Sequence, residues 1–466
     1  MTEPAIEGHT VQGVPVAELA DRYGTPLYLY DGEVIRETYR QLRGLLDTSV
    51  EIYYSLKANP NISICSLLHS LGAGAEVSSL AELVTARRAG VPAREIIFLG
   101  PGKSAAELAA CIEQGIGAIV CESIEEVHAV DAMAGALPRN AGEAVRVMLR
   151  VNPAFVTKGS RLAMGGKPRQ FGIDQELVAE AGPALRALRH VRMIGLHAYM
   201  GTRILDAADI AHNTRSVLTA AADLATALDL RLDVVDVGGG FGVPYFDNES
   251  PLDIEAVADG VNSAVARFHD EHPHTRIITE LGRYLVGGSG TYVVRARYVK
   301  ASRGEWFVVA DGGTNHHMAA VGIGSFVKRN FPIRSLSRPT DPPARDYTVT
   351  GPLCTPNDVV GKKVPLPEVR PGDLIGVERS GAYGPSASPV HFLSHGHPSE
   401  VLVLDGLAHL VRRADTVEDL LRPQNLVVPA APVPGTPALP DRPSAAAVPT
   451  VPDPPSIPVP AGPAAT

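Results

Sequence analysis

Cysteine is scarce and scattered. Cys65, Cys111, Cys121 and Cys354 are the four in 466 residues, and no two form a Cys-x-x-Cys pair. Neither a zinc site nor a disulfide framework is suggested. Long apolar runs are missing: no stretch reaches the ~18 residues that a membrane-spanning helix needs. Excess positive charge is missing as well. A net charge of −9 argues against bulk nucleic-acid binding. Met1–Thr10 carries acids and no apolar core, unlike a secretory leader. No internal repeat with a period of about 20 to 50 residues is found. These absences leave a cytoplasmic enzyme with no membrane or nucleic-acid partner as the expectation.

Proline, by contrast, is concentrated at one end. From Pro429 to Thr466 the chain is mostly Pro, Ala, Val and Ser, and 13 of the 39 prolines fall there. Proline fixes φ and removes backbone donors, so this tail can build neither helix nor ladder. It reads as a disordered, polyproline-II-like extension.

Between the ends lie eight short apolar runs without strict alternation: Ile52–Leu56, Ala75–Ser78, Ile96–Leu99, Ala118–Cys121, Val145–Val151, Met193–Ala198, Val234–Val237 and Ile277–Glu280. Such runs suit strands buried on both faces. Helical patterns separate most of them. Leu80–Ala89 places Leu80, Leu83, Val84 and Ala86 on or near one face. Val217–Leu228 carries Val217, Leu218, Ala221, Leu224, Ala225 and Leu228 at helical spacing. Eightfold alternation of strand and helix predicts an α/β fold, a (β/α)8 TIM barrel. The length suffices for such a barrel of about 250 residues and a second domain.

A barrel of this kind places its chemistry at the C-terminal strand ends. The residues there are Lys57-Ala58-Asn59, Glu76, Arg150, His197 with Tyr199 and Gly201-Thr202, Gly238 to Gly242, and Glu280-Leu281-Gly282-Arg283. After Leu285 the pattern changes to short strands, among them Thr291–Val299, Trp306–Ala310, Leu374–Glu378 and Glu400–Leu404. The expected organisation is a segment 1–30 whose Pro26–Tyr30 joins a β domain, a barrel over 31–285, a C-terminal β domain over 286–425, and a tail over 426–466.

At these residues the chain resembles the fold-type III pyridoxal-5′-phosphate (PLP) decarboxylases, the alanine-racemase-like group that includes diaminopimelate and ornithine decarboxylases. The resemblance rests on Tyr54-Ser55-Leu56-Lys57-Ala58-Asn59, Gly238-Gly239-Gly240-Phe241-Gly242, Glu280-Leu281-Gly282-Arg283-Tyr284, Gly351-Pro352-Leu353-Cys354 and Gly381-Ala382-Tyr383-Gly384. They occur in the family's order and span roughly residues 20 to 425. Within the family, Met164 to Gly172, Gly240 to Phe246 and Ser388 to Leu393 are similar to a subgroup acting on amino acids tethered to carrier proteins, the L-glutamyl-[acyl-carrier protein] decarboxylases. A related subgroup accompanies bacterial exosortases.

The resemblance implies PLP held as a Schiff base on Lys57, since a partly desolvated amine can form an imine with the aldehyde. It implies a phosphate cradle of Gly239 and Gly240 with Gly282, Arg283 and Thr202, although in some relatives the matching arginine meets substrate carboxylate instead, and it implies Tyr383 as a phosphate or substrate contact. Glycine lets backbone N–H groups approach an oxyanion. Glu280 would face the pyridine nitrogen and keep it protonated. That makes the ring a strong electron sink and favours decarboxylation over racemisation. Arg150 would lie near the phenolate oxygen and Glu76 near the imine; ion pairs at a barrel mouth are the ordinary alternative for both. Tyr199 stands where diaminopimelate and ornithine decarboxylases have a stacking histidine. By register Tyr199, not His197, would stack. Cys354 would reprotonate Cα from a neighbouring subunit, so a homodimer with shared active sites is implied. A thiol is largely protonated at neutral pH and can donate.

Diaminopimelate enzymes follow this cysteine with Glu-Ser-Gly-Asp, whose glutamate meets the distal ammonium. Here Thr355-Pro356-Asn357-Asp358 follows. A buried distal ammonium without a partner is costly. A glutamyl or methylaspartyl thioester on an acyl carrier protein, in natural-product biosynthesis, therefore fits better. Two basic stretches, Lys158/Arg161/Lys167/Arg169 and Lys328/Arg329/Arg334/Arg338, are either carrier contacts or solvated loops. The alternatives are a free-amino-acid decarboxylase and a non-catalytic PLP-binding homologue; intact Lys57 and Cys354 argue against the latter.

Overall fold

The computed structural model describes residues 8–137, 143–155, 162–163, 168, 170–321 and 329–427. The chain divides into two units, Met1–Leu420 and Leu421–Thr466. Of the second, Leu426 and Val427 are exposed, and the expected proline-rich tail lies outside the described residues.

In the larger unit, Val50–Ser55, Gly74–Val77, Ile96–Phe98, Ala118–Cys121, Val145–Asn152, Val191–His197, Val234–Gly239 and Arg276–Leu281 run parallel. Each pairs with the next, and the last returns to the first from Ile277↔Val50 to Leu281↔Tyr54, which closes the barrel. Every expected run falls on one of these strands, with ends shifted by no more than two residues. A short extra strand, Ile173–Asp174, adds to the fifth at Val151 and Asn152.

Helices wrap the outside, and the longer ones of the barrel begin at side-chain caps, which satisfy some of their first N–H groups. Ser104 and Glu107 form a reciprocal capping box on Ala105–Gln114. Asp206 accepts from Ala208 and Asp209 at the start of Ala207–Leu228. That helix buries Val217, Leu218, Ala221, Leu224, Ala225 and Leu228 as expected. Leu80–Arg88 corrects an expectation. Leu83 and Ala86 are buried, but Leu80 and Val84 are 38% and 36% exposed. The inward position is shared with Glu82, whose carboxylate accepts the Ser78 N–H at 2.7 Å.

Alternation along the strands divides the barrel interior into layers. An apolar layer contains Tyr53, Ile97, Ala118, Val120, Met148, Ile194, Val234 and Ile278. Two residues further along their strands come Glu122, Arg150, Asp236 and Glu280, and Glu76 lies two beyond Gly74. All five are buried. A charged tier thus sits on an apolar plug, at the strand ends where the mouth opens.

The second sheet is built around the N-terminal strand. Leu27–Asp31 lies between Gly290–Ser302, to which it is antiparallel, and Ser399–Leu404, to which it is parallel. Glu305–Ala310, Arg345–Thr350 and Val359–Leu366 extend one side, Leu407–Arg412 the other, and Leu374–Val377 branches from Gly290–Ser302. The expected segments after Leu285 fall on these strands. Tyr28 and Tyr292 stack at 4.9 Å between ring centroids in the sheet's core.

Candidate active site

Lys57 is carried by the single turn Leu56–Ala58, which follows the first barrel strand. The turn is fastened from both sides. The Tyr54 hydroxyl donates to the Asn59 carbonyl at 2.7 Å, and the Asn59 amide donates to the Gly381 carbonyl at 3.0 Å. The Tyr383 N–H donates to the Ala58 carbonyl at 2.7 Å. Tyr383 itself has φ +55°, a left-handed conformation that a bulky residue holds only when its surroundings enforce it.

The Lys57 amine donates to Glu76 Oε2 at 2.9 Å. Glu76 is fully buried, and its other oxygen accepts from the Ser78 hydroxyl at 2.9 Å. Burial alone would lower the Lys57 pKa. The Glu76 and Glu280 carboxylates outweigh it, so the pKa is raised and the amine is held as an ammonium.

Glu280 anchors the opposite side of the cluster. One ligating atom each from His197, Asp236 and Glu280 lies within 4.8 Å of the other two. His197 Nε2 is 3.4 Å from Glu280 Oε1, yet neither Glu280 oxygen receives a hydrogen bond from the protein. Burial raises the Glu280 pKa, but His197 and then Lys57 pull it down to about 2, so the group is a carboxylate. Asp236 goes the other way. Burial, and then the Glu280 charge beside it, push its pKa well above the usual value. Asp236 Oδ1 accepts the Gly238 N–H at 2.8 Å, which shapes the glycine turn.

That turn has no space for side chains. A Cβ on Gly239 would stand 1.7 Å from the Glu280 carbonyl oxygen, and one on Gly240 (φ +89°) 2.1 Å from that of Gly201. Gly282 packs against Ser55 and Ala58. Arg283 Nη1 donates to the Tyr245 hydroxyl at 2.9 Å, and its guanidinium lies 4.4 Å from the Tyr383 ring centroid. The Lys57 amine is 5.7 Å from the centre of the Tyr199 ring. Burial raises the Tyr199 pKa, and the Lys57 charge beside it works in the opposite direction. His197 faces Glu280, while Tyr199 presents its ring to the Lys57 amine.

Lys57, Glu76, Tyr199, Glu280 and Tyr383 therefore converge, with Thr202, Gly239, Gly240, Gly282 and Arg283 around them. Arg150 occupies the same tier but is engaged elsewhere: Nη1 meets Glu122 Oε1 at 2.6 Å, and the guanidinium lies 4.8 Å from the Phe171 ring centroid. Its register partner on the next strand is His197. Cys354 is exposed. No hydrogen bond, ion pair or ring contact among the described residues joins it to the Lys57 cluster. The loop carrying Cys354 is tied down by Asp358. The Asp358 carboxylate accepts from the Leu353 N–H at 2.7 Å, the Thr314 N–H at 2.8 Å and the Thr314 hydroxyl at 3.0 Å.

Sequence reasoning missed Asp236, Glu122 and Tyr245. An acid inside the apolar run Val234–Val237 was the available signal for Asp236. Lys158, Arg161, Lys167, Arg169, Lys328 and the segment 164–167 lie outside the described residues.

A sequence model described as "Pyridoxal-dependent decarboxylase, pyridoxal binding domain" matches residues 32–287. The chain belongs to the pyridoxal-dependent decarboxylases. It is 40% identical over 413 residues to the L-glutamyl-[BtrI acyl-carrier protein] decarboxylase of Niallia circulans, covering 88% of this chain and 96% of that one. It is 31% identical over 430 residues to the diaminopimelate decarboxylase of Methanothermobacter thermautotrophicus, covering 90% and 96%. The solved diaminopimelate decarboxylase of Helicobacter pylori with L-lysine superposes at a TM-score of 0.78 and 30% identity, covering 88% of this chain and 98% of that one. This decarboxylase is a lyase that depends on pyridoxal phosphate, and its residues fit the group. The buried Glu280 carboxylate has two oxygens with no protein donor, which suits a protonated ring nitrogen. A lysine amine and a glycine turn with an adjacent arginine stand at the same mouth. Among the described residues no helix is long and apolar enough to cross a membrane.

Proposed function

We propose that this decarboxylase removes the α-carboxyl of an acidic L-amino acid, glutamyl or 3-methylaspartyl, held as a side-chain thioester on an acyl carrier protein. The observation that carries the reading is the fate of Asp358. It is the only acid in the run Thr355–Asp358 after Cys354, and three loop donors already occupy its carboxylate. Its oxygens are turned onto its own loop instead of toward a distal ammonium, whereas a thioester needs no such partner. The likeness to the Niallia circulans enzyme, whose name specifies a carrier-bound glutamyl substrate, supports the same reading.

When bound, pyridoxal phosphate supplies an aldehyde for amine capture and a cationic ring that accepts the electron pair released as CO₂ leaves. Lys57 would hold it covalently, with Glu76 fixing the lysine nitrogen. Gly239, Gly240, Gly282, Arg283, Thr202 and Tyr383 would hold its phosphate. Tyr199 would cover a ring face. Arg150, steadied by Glu122, would stand beside the ring oxygen. Glu280 would keep the ring nitrogen protonated, since a carboxylate already held to about 2 stays anionic when it receives a hydrogen bond. Cys354 Sγ, exposed on its own subunit, would deliver the proton to Cα in the partner's site, which makes a cytoplasmic homodimer the working form.

The test is a screen of carrier-loaded glutamyl and methylaspartyl thioesters against the free acids and diaminopimelate, read by CO₂ release and the mass of the carrier. Turnover of the loaded carriers is expected. Turnover of free diaminopimelate alone, with every loaded carrier inert, would replace this reading with that of a free-amino-acid decarboxylase.

A further inference from the structure

A groove of about 420 Å³ is lined by Phe246, Asp247, Asn248, Arg329, Asn330, Lys362 and Lys363. On a chain of net charge −9, it sets three cations against one carboxylate. The basic stretch that includes Arg329 divides here. Arg334 pairs with Glu378 and Arg338 with Asp373. Arg329, Lys362 and Lys363 make no ion pair with an acid among the described residues; Arg329 donates to the Asn248 side-chain oxygen.

The groove is built rather than draped. The Asn330 side chain accepts the Lys362 N–H at 2.9 Å and donates to the Lys362 carbonyl at 2.7 Å. This two-way clamp fixes the segment that presents Arg329 against the strand that presents Lys362. The next residue, Phe331, stacks on Tyr245 at 4.6 Å and meets Phe246 edge-on at 6.3 Å. Of these rings, Tyr245 also touches the candidate site. Tyr245 accepts from Arg283 at 2.9 Å, and Arg203 lies 5.0 Å and 5.3 Å from the Tyr245 and Phe246 ring centroids. Arg329 approaches Phe246 from the groove side, at 5.8 Å. A run of touching rings, Phe246, Phe331 and Tyr245, thus links the cationic groove to Arg283 of the candidate site.

We infer that this groove binds the phosphodiester of the carrier protein's phosphopantetheine arm. The inference rests on the carrier-bound reading above and names where the carrier's charge is met. A thioester substrate arrives on a long, flexible amide chain whose one permanent charge is the phosphodiester at its far end. A site for that charge belongs outside the catalytic mouth, next to its wall and open to solvent. Local positive charge is also what an acidic partner needs in order to approach an acidic enzyme.

The experiment compares two thioesters of the same amino acid, one on the carrier protein and one on pantetheine without phosphate. The protein is the pyridoxal-phosphate-loaded wild type or the triple variant Arg329→Ala/Lys362→Ala/Lys363→Ala. The variant is expected to raise KM for the loaded carrier about tenfold with kcat kept, as loss of peripheral charges does. KM for the pantetheine thioester should move less than about twofold, which also shows that the variant is folded. Added salt should raise the wild-type KM for the carrier and leave that of the variant flat. Equal changes for both thioesters, or none for either, overturn the assignment of the groove while leaving the carrier reading intact. Wild-type turnover of free amino acid with neither thioester accepted removes the reading itself, and the groove's ligand with it.

Discussion

The barrel mouth and the core of the β-rich region both bury polar groups, and they treat them in opposite ways. In the β-rich core most of the groups are satisfied, with Asn315 Oδ1 and His397 Nδ1 as exceptions among the described residues. His316 Nε2 meets the Gly396 carbonyl at 2.9 Å, and the Tyr28 hydroxyl donates to the His316 carbonyl at 2.8 Å. His317 Nε2 meets the Ser380 hydroxyl at 2.8 Å, while its Nδ1 accepts the Ala320 N–H at 3.2 Å. Asp358 takes three donors. At the mouth, Glu280 Oε2, His197 Nδ1 and Asp236 Oδ2 lack a protein hydrogen bond, and His197 Nε2 and Glu280 Oε1 meet only each other, at 3.4 Å. Unmet polar atoms in low dielectric are expensive, so their concentration around one lysine marks the place where the fold gives up stability for chemistry. The same residue types elsewhere in the chain serve as scaffold.

Four variants test that contrast. The largest effect is expected from Lys57→Ala, which should abolish both decarboxylation and the visible absorbance of bound cofactor while circular dichroism stays unchanged. Retained turnover would break the contrast at its centre. Asp358→Ala should act on the scaffold. It strands three donors of the Cys354 loop, so denaturant unfolding should show a loss of about 3 kcal/mol. An unchanged midpoint would mean that the loop does not need its carboxylate.

The third test uses pH. Burial pushes His317 down to about 4, so between that value and the unfolded value the unfolded chain binds more protons than the folded one. Stability then falls as pH falls. With an unfolded pKa of about 6.5, the wild type should lose roughly 2 kcal/mol from this group between about pH 7 and 5. His317→Gln should lack that component in a urea-unfolding series across the same range. The smallest effect, and the sharpest in sign, is expected at Asp236. Its pKa is raised in the folded protein, so above the unfolded carboxyl value the folded state keeps a proton that the unfolded chain has released. Its contribution to stability therefore declines as pH rises. Asp236→Asn removes that dependence. The melting temperature at neutral pH should rise while turnover drops, and a fall in both would place Asp236 with the scaffold residues.

Much of this could be read from the sequence. The barrel strands showed as apolar runs, and the site lysine, glycine turn, glutamate and arginine stood at their ends. Asp236 and Glu122 were less visible because their importance lies in the inward tier. That tier appears only once the parity of each strand is known. His197 stood at a strand end, but its facing Glu280 did not show: the sixth strand shifts register between Met193 and Gly195, so counting by twos along it fails. Leu80 and Val84 misled because an apolar residue on a short helix says nothing about which neighbour takes the inward place, and here Glu82 does. The groove was invisible in principle, since Phe246, Arg329 and Lys362 are brought together only by the tertiary fold.

The placement of Leu27–Asp31 between Gly290–Ser302 and Ser399–Leu404 has a consequence for biosynthesis. Leu27–Asp31 cannot complete its pairing until residue 404, far downstream, has left the ribosome, a wait on the order of tens of seconds at about 5–20 residues per second. The Lys57 turn waits as well, because its fasteners are Gly381 and Tyr383. A nascent chain can close its barrel early, but the mouth that handles the cofactor is finished only after Tyr383 has emerged, so products truncated before it should be catalytically silent.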